Sequence, residues 1–364
     1  MDFFSTTISD TSISNVTDIL KTTMISAGKM AEKFEDELNK KFNFNNSITL
    51  NSGTITMFLA LKASGIGFGD EVILPAQTFV ATGHVILQCG AKPVFADINL
   101  DGNISIESIK SKITEKTKAI IPVHWGGYPC DMDEINQIAL EHNLIVIEDA
   151  AHALGSKYKG KYIGNISDFT SFSFQAIKHL TTGDGGLLTC KNNDKYRLIK
   201  RLRWFDIERE NSPLSILGER EYDILNVGYK SHMNDIAASI GLGNLESFDD
   251  KMLKIRNIAE IYNNELKNVS GLKLPEYKND RESSYWLYPT LVEKRTGFIK
   301  KLSEHNIPTS VVHIGIDKNT LFGGKNYDLT NQRFFDDNQI HLPINEKLTD
   351  DNINLIIKTI KNGW

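Results

Sequence analysis

Between residues 47 and 147 short apolar runs alternate with helical patterns, and few folds accept that order. The runs cover residues 47–50, 71–74, 93–96, 119–123 and 144–147, and the helical segments between them start near Thr54, Thr78, Ser105 and Asp131. Strands spaced by helices in this way predict an α/β domain with a mostly parallel, mixed sheet flanked by helices. An amphipathic helix precedes it over residues 28–42, with Phe34, Leu38 and Phe42 recurring along one face.

After Asp149 the pattern loosens. Strand-like segments lie at 168–174 and 186–190, then a helix rich in Arg and Lys from Asp194 to about Trp204, then a small-residue helix over 234–245 suited to close packing. Residues 206–226 are polar and irregular, which predicts a long surface loop, a feature that often carries function. From 246 onward a helix and strand-like runs such as 285–292 predict a smaller α+β domain. The expected division is a large domain with an N-terminal arm over 1–245 and a small C-terminal domain over 246–364.

Composition narrows the function. The chain has 364 residues, 40% hydrophobic and 24% charged, enough for more than one ordinary domain. With 41 basic against 46 acidic residues there is no cationic excess to hold nucleic acid. No apolar run approaches the roughly 18 residues of a membrane span. The opening MDFFSTTISDTSISN has no basic stretch followed by an apolar one, so a cytoplasmic protein is expected. Cys89, Cys130 and Cys190 are widely spaced and form no C-x-x-C pair, so they read as free thiols with no metal site.

Gly65, Gly67 and Gly69 follow a helix rather than a strand, and no G-x-x-x-x-G-K-[ST] occurs, so neither a nicotinamide site nor a P-loop is supported. Three other stretches carry chemistry. Asn51-Ser52-Gly53-Thr54 joins a strand to a helix, where backbone N–H groups and the helix dipole suit a phosphate; an ordinary N-cap would use the same residues. Asp149 ends the run IVIED, and an acid at the carboxyl end of a parallel strand suits either a protonated pyridine nitrogen or a structural ion pair. Finally, SFSFQAIKHLTTGDGG (171–186) delivers Lys178 from an apolar strand into a turn rich in Thr and Gly. A lysine there is either solvated or, once desolvated, able to form a Schiff base.

Taken in order along the chain, SGT (52–54), PAQTF (75–79), PVFAD (93–97), IPVHWGGYPCDM (121–132), IEDAAHALGS (147–156), SFSFQAIKHLTTGDGG (171–186) and GYKSHMND (228–235) resemble the DegT/DnrJ/EryC1/StrS family of sugar aminotransferases. The likeness runs nearly the whole length. It implies the fold type I aminotransferase architecture, pyridoxal 5'-phosphate (PLP) as cofactor, and a homodimer whose active sites lie at the subunit interface. Lys178 matches the lysine that carries the cofactor and then shuttles protons. Asp149 matches the acid on the pyridine nitrogen, and Phe79 the aromatic stacked on the ring. Gly53, Thr54 and Ser173 match phosphate ligands. His152 stands where the family commonly has Gln, near the phenolic oxygen. GYKSHMND departs from the commoner GYNYRMTD: Lys230 takes the position of an Asn that reaches the partner's phosphate, and His232 that of an Arg, with Asn226 close by.

The resemblance also implies ping-pong transamination from L-glutamate to a keto-sugar, a nucleotide-linked 4-keto-6-deoxyhexose destined for surface polysaccharide or O-antigen. The stretch 201–210 and the stretch 311–325 are candidates to line the acceptor site, where Arg201, Arg203 and Lys318 would meet a diphosphate or remain solvated. Three alternatives stand beside this. One is an aminotransferase acting on a 3-keto or smaller acceptor. Another is a PLP-dependent dehydratase or epimerase; the dehydratases put His at the lysine position, where this chain has Lys178 rather than His179. The third is a regulatory homologue without turnover, against which the intact Lys178, Asp149 and phosphate set argues.

Overall fold

A computed structural model describes residues 1–208 and 212–364. In chain order the elements are α1 (Asp10–Leu20), α2 (Lys29–Phe42), β1 (Ser47–Leu50), α3 (Gly53–Ala63), β2 (Glu71–Pro75), α4 (Val80–Gln88), β3 (Lys92–Ala96), α5 (Ile106–Lys112), β4 (Thr117–Ile120), α6 (Met132–Glu141) and β5 (Ile145–Asp149). Then come β6 (Lys157–Tyr158), β7 (Lys161–Tyr162), β8 (Phe169–Ser173), β9 (Gly186–Cys190), α7 (Asn193–Leu202), α8 (Asp235–Glu246) and α9 (Phe248–Leu266). The chain ends with β10 (Leu272–Lys273), β11 (Arg281–Glu282), β12 (Tyr288–Val292), α10 (Arg295–Glu304), α11 (Thr330–Asn338), β13 (Gln339–Leu342) and α12 (Asp350–Lys361).

Seven strands form the main sheet in the order β1-β9-β8-β5-β4-β2-β3. Only β9 runs against its neighbours, and the pairs β8-β5, β5-β4, β4-β2 and β2-β3 are parallel. This is the α/β architecture of fold type I aminotransferases, with the mostly parallel mixed sheet that the alternation predicts. Both faces of the sheet are covered. Phe34, Leu38 and Phe42 of α2 fill one side, and Leu59, Val85 and Ile86 of α3 and α4 the other. Full burial of β2 and β9 explains why their sequences are apolar without alternation, while β1, equally buried, sets Ser47 and Thr49 between Ile48 and Leu50.

Several boundaries differ from the sequence reading for local reasons. The run 119–123 stops as strand β4 at Ile120, because Pro122 has no N–H to give the ladder. Its carbonyl still accepts from Asp149 N at 2.8 Å. The helix expected near Thr78 begins at Val80, after Phe79 at the N-cap. Helix α1, which the sequence reading left without an assignment, docks on α8. A Cβ on Gly243 would stand 2.3 Å from Ser12 N, and the Ser12 hydroxyl donates to Ile240 O at 2.8 Å. The small residues of α8 are there to admit α1 and Phe34.

C-terminal to Phe248, the sheet β10-β12-β13 and helices α9, α10 and α12 enclose an apolar core of their own, including Tyr262, Phe298, Leu342 and Ile356. Several connections cross back. Phe248 and Met252 belong to the core beneath the main sheet, and β11 pairs with β6. No described helix is long and apolar enough to cross a membrane. Cys89, Cys130 and Cys190 are buried free thiols.

Candidate active site

The carboxyl ends of the parallel strands converge on a cleft of about 380 Å³. Such edges are where open α/β sheets bind ligands. Of the residues singled out in the sequence, Gly53, Thr54, Phe79, Asp149, His152, Ser173 and Lys178 all line it. They come from four separate segments, so only the fold brings them together. Lys230 does not line the cleft of its own chain. It is exposed, its ammonium lies 5.9 Å from the Trp204 ring centroid, and its carbonyl accepts from the Asn51 side chain.

Asp149 is the last residue of β5 and is buried. Its carboxylate accepts from the Thr82 hydroxyl at 2.8 Å and from Ala151 N at 3.2 Å. Burial nevertheless pushes its pKa up, against the Thr82 bond. A buried carboxylate held only by neutral donors is a demand for a cation. Lys178 shows the converse shift: burial pulls its amine down to about 7, against the attraction of Asp149. The side chain is thus a base near neutral pH instead of a permanent ammonium.

The phosphate turn is built by close backbone approach. Ser52 caps α3 through its hydroxyl, which accepts from Ile55 N at 3.2 Å. Both readings of this turn therefore coexist, a capped helix whose first-turn residues Gly53 and Thr54 still face the cleft. A Cβ on Gly53 would stand 3.0 Å from Ser173 Cβ, and one on Gly186 would stand 2.6 Å from the Ser52 backbone. Glycine at both positions leaves a cradle beside the Ser173 hydroxyl.

Phe79 is 54% exposed on the cleft wall, a ring face ready for a planar ligand. His152 is buried, stacked on Trp286 at 3.7 Å between centroids, and its Nδ1 has no hydrogen-bond partner among the described residues. Burial and the neighbouring Lys178 hold its pKa well below the ordinary histidine value, so the imidazole is neutral. A cradle, an aromatic wall, an acid that wants a cation and an orphaned ring nitrogen fit a phosphorylated pyridine.

Thr82 and Trp286 escaped the sequence reading, and His313 fell inside the candidate stretch 311–325 without being singled out. Thr82 holds Asp149, and no motif marks it. Trp286 sits over Lys178. His313 lines the cleft 5.2 Å from the Phe79 ring, and burial pulls its pKa down to about 4. His313 is aimed by a tight turn in which its N–H donates to Val311 O at 2.7 Å, with Val312 at φ 55. A β-branched residue in that region stores roughly 1–3 kcal/mol, which marks functional sites and leaves no sequence signal. The arginines go elsewhere. Arg201 pairs with Asp206 at 3.0 Å and Arg203 with Glu35 at 2.8 Å, and neither lines this cleft. Residues 209 and 210 of the stretch 201–210 lie outside the described residues. Asn226 also serves structure, donating through its side chain to Asp206, while the His232 ring lies 3.3 Å from the Ser26 hydroxyl.

Comparison with known proteins decides the family. The model of the DegT/DnrJ/EryC1/StrS aminotransferase family matches residues 6–361. The chain belongs to that family. It is a PLP-dependent aminotransferase of a sugar-aminating group. Among curated relatives of this family member, the spore coat polysaccharide biosynthesis protein SpsC of Bacillus subtilis is 36% identical over 96% of the chain and 93% of its own length. The GDP-perosamine synthase of Escherichia coli O157:H7 is 37% identical over 85% of the chain and 84% of its own length. Spr1654 of Streptococcus pneumoniae, solved in PLP and PMP forms, superposes with a TM-score of 0.91 at 32% identity, covering 100% of the chain and 98% of its own.

Proposed function

We propose that this aminotransferase carries an amino group from L-glutamate to a nucleotide-linked keto-sugar, a 4-keto-6-deoxyhexose, in the synthesis of a surface polysaccharide such as O-antigen. The observation that carries the reading is buried Asp149 and half-buried Lys178, the latter covered by the Trp286 ring, in one cleft, each shifted against its charge. PLP, when bound, supplies an electron sink for the bonds at the amine-bearing carbon. Asp149 would keep the proton on the pyridine nitrogen. Phe79 would pack on the ring, and Gly53, Thr54 and Ser173 would receive the phosphate. Neutral His152 would offer Nδ1 to the phenolic side. Lys178 Nζ, a base near pH 7, would move a proton from the donor's α-carbon to the cofactor in the first half-reaction and from the cofactor to the acceptor's carbon in the second.

The acceptor end is supported by a second hollow of about 470 Å³ that shares Thr78, Phe79, Val312 and His313 with the cleft. It adds His84, Lys318 and Asn319, polar and cationic groups that suit a diphosphate and sugar hydroxyls. The likeness to SpsC and to the perosamine synthase supports polysaccharide and nucleotide-sugar chemistry here.

The same proposal includes a cytoplasmic homodimer with shared sites and the division at residues 245/246. Lys178 is the only cation among the described residues lining the cleft, so a phosphate there lacks a fixed positive partner from its own chain. Lys230 of a second copy would supply it. The loop 206–226 supports the dimer too. Asp206 pins its ends by accepting from Leu225 N and Asn226 N, yet Ile216 and Leu217 are 101% and 84% exposed. Apolar side chains held out in this way need a cover.

The test is a visible spectrum of the purified protein before and after L-glutamate, beside Lys178→Ala, followed by a panel of keto-sugar nucleotides read by mass. A yellow band that bleaches with glutamate, and a product one amino group heavier from a 4-keto sugar nucleotide, are expected. A bound chromophore indifferent to glutamate removes the donor assignment, and amination only of smaller ketones removes the acceptor.

A further inference from the structure

The two backbone carbonyls before Lys178 are both held from outside its own turn. The Thr6 hydroxyl donates to Ala176 O at 2.9 Å, and the Trp286 indole N–H donates to Ile177 O at 2.9 Å. The indole also covers the lysine itself, with Nζ 3.6 Å from the ring centroid. It stacks on His152, and Phe4 stacks on it at 5.1 Å with an interplanar angle of 23°. Tyr285, at φ 51, turns the chain just before Trp286.

Residues 2–7 are anchored in turn to the loop after β13. Asn345 donates through its side chain to Asp2 O at 3.0 Å, Lys347 Nζ to Thr6 O at 3.0 Å, and the Ser5 hydroxyl to Glu346 at 2.8 Å. The Lys251 ammonium faces Glu346 at 3.4 Å. A chain of contacts thus runs from the loop after β13, through residues 2–7, to the lysine turn. None of residues 2–7 lines the cleft.

The geometry points to Trp286 as the positioning residue for Lys178, and to residues 2–7 as a strap that keeps Trp286 and the lysine turn in register. The inference rests on the reading of Lys178 as the cofactor lysine. Its physical content is competition around one amine. The ring face favours the ammonium, but enclosure by the same ring removes water and disfavours it. The groups facing Lys178 are Asp149, His152, His179 and His313, with Lys251 and Glu346 beyond His179. Burial keeps these histidines neutral, so Asp149 is the charge that opposes desolvation. Opening the enclosure returns the amine toward an ordinary lysine.

The test uses the apo-protein. Reaction of Lys178 with trinitrobenzenesulfonate is followed against pH by peptide mass for wild type, Trp286→Leu, Trp286→Phe and Phe4→Ala, with melting temperature recorded alongside. Wild type should titrate near pH 7. Trp286→Leu should move the midpoint up by about one unit or more, Trp286→Phe should recover much of that, and Phe4→Ala should move it the same way by less. Midpoints unchanged in Trp286→Leu and Phe4→Ala would overturn the inference. If Trp286→Leu does not fold, Trp286→Phe and Phe4→Ala decide alone: both at the wild-type midpoint overturns it. Because labelling reads the bare amine, it is independent of the glutamate spectrum, whose failure would strike the cofactor assignment instead.

Discussion

Asp149 and Lys178 are worth more to the site as a pair than either is alone. Each is moved by burial toward its neutral form, and each is partly restored by the other. Without cofactor that arrangement strains the fold. Asp149→Asn should therefore leave the apo-protein melting no lower than wild type by calorimetry, while lowering the single-turnover rate with glutamate by roughly 10²–10⁴-fold. The buried histidines predict an acid limit. Burial lowers His179 and His341 to about 3, far below the value of an exposed histidine. Below about pH 6.5 the unfolded chain takes up these protons and the folded chain does not, so stability is full above 6.5 and falls as pH drops, by about 1.4 kcal/mol per unit for each. Urea unfolding between pH 6.5 and 4.5 should show that slope, and His341→Phe should remove one histidine's share of it. At this scale the sequence was informative where a residue type is chemically unusual in its place, as with Lys178 and Asp149. It was silent on Thr82, whose role depends on a helix start that no local pattern encodes, and it marked the stretch around His313 but not that residue, which a strained turn aims.

Among the elements, the turn into α3 shows how a strand can serve a ligand it does not touch. Gly186 opens β9, and it admits the Ser52–Gly53 backbone at a distance no side chain would allow. Gly186→Ala should push that turn outward and weaken PLP about 10–100-fold by equilibrium titration, more than it lowers the melting temperature of the apo-protein. Gly243→Val makes the opposite prediction. It clashes with Ser12 across the α1–α8 contact and should destabilise by about 1–3 kcal/mol in urea, with PLP affinity unchanged. The strands and helices from 47 to 149 were legible because burial on both faces writes continuous apolar runs. Helix α1 was not, since its helical content is set by the groove of α8 more than by its own pattern. Arg201 and Arg203 stayed open in the sequence between ligand and solvated charge, because a charged face reads the same whether it meets substrate, water or, as here, Asp206 and Glu35.

Across the whole molecule the proposal of shared sites makes a quantitative claim. In a mixture of Lys178→Ala and Lys230→Ala, each mixed dimer holds one intact site and one doubly altered site. Random exchange of two otherwise dead variants should therefore restore about a quarter of wild-type turnover. Recovery of none would place Lys230 outside the partner's site. The account as a whole turns on which lysine carries the cofactor. Borohydride reduction of the PLP-loaded protein, followed by peptide mass mapping, answers that directly. A reduced pyridoxyl group on Lys178 alone is the result predicted; the same mass on another lysine, or on none, would contradict the site described here.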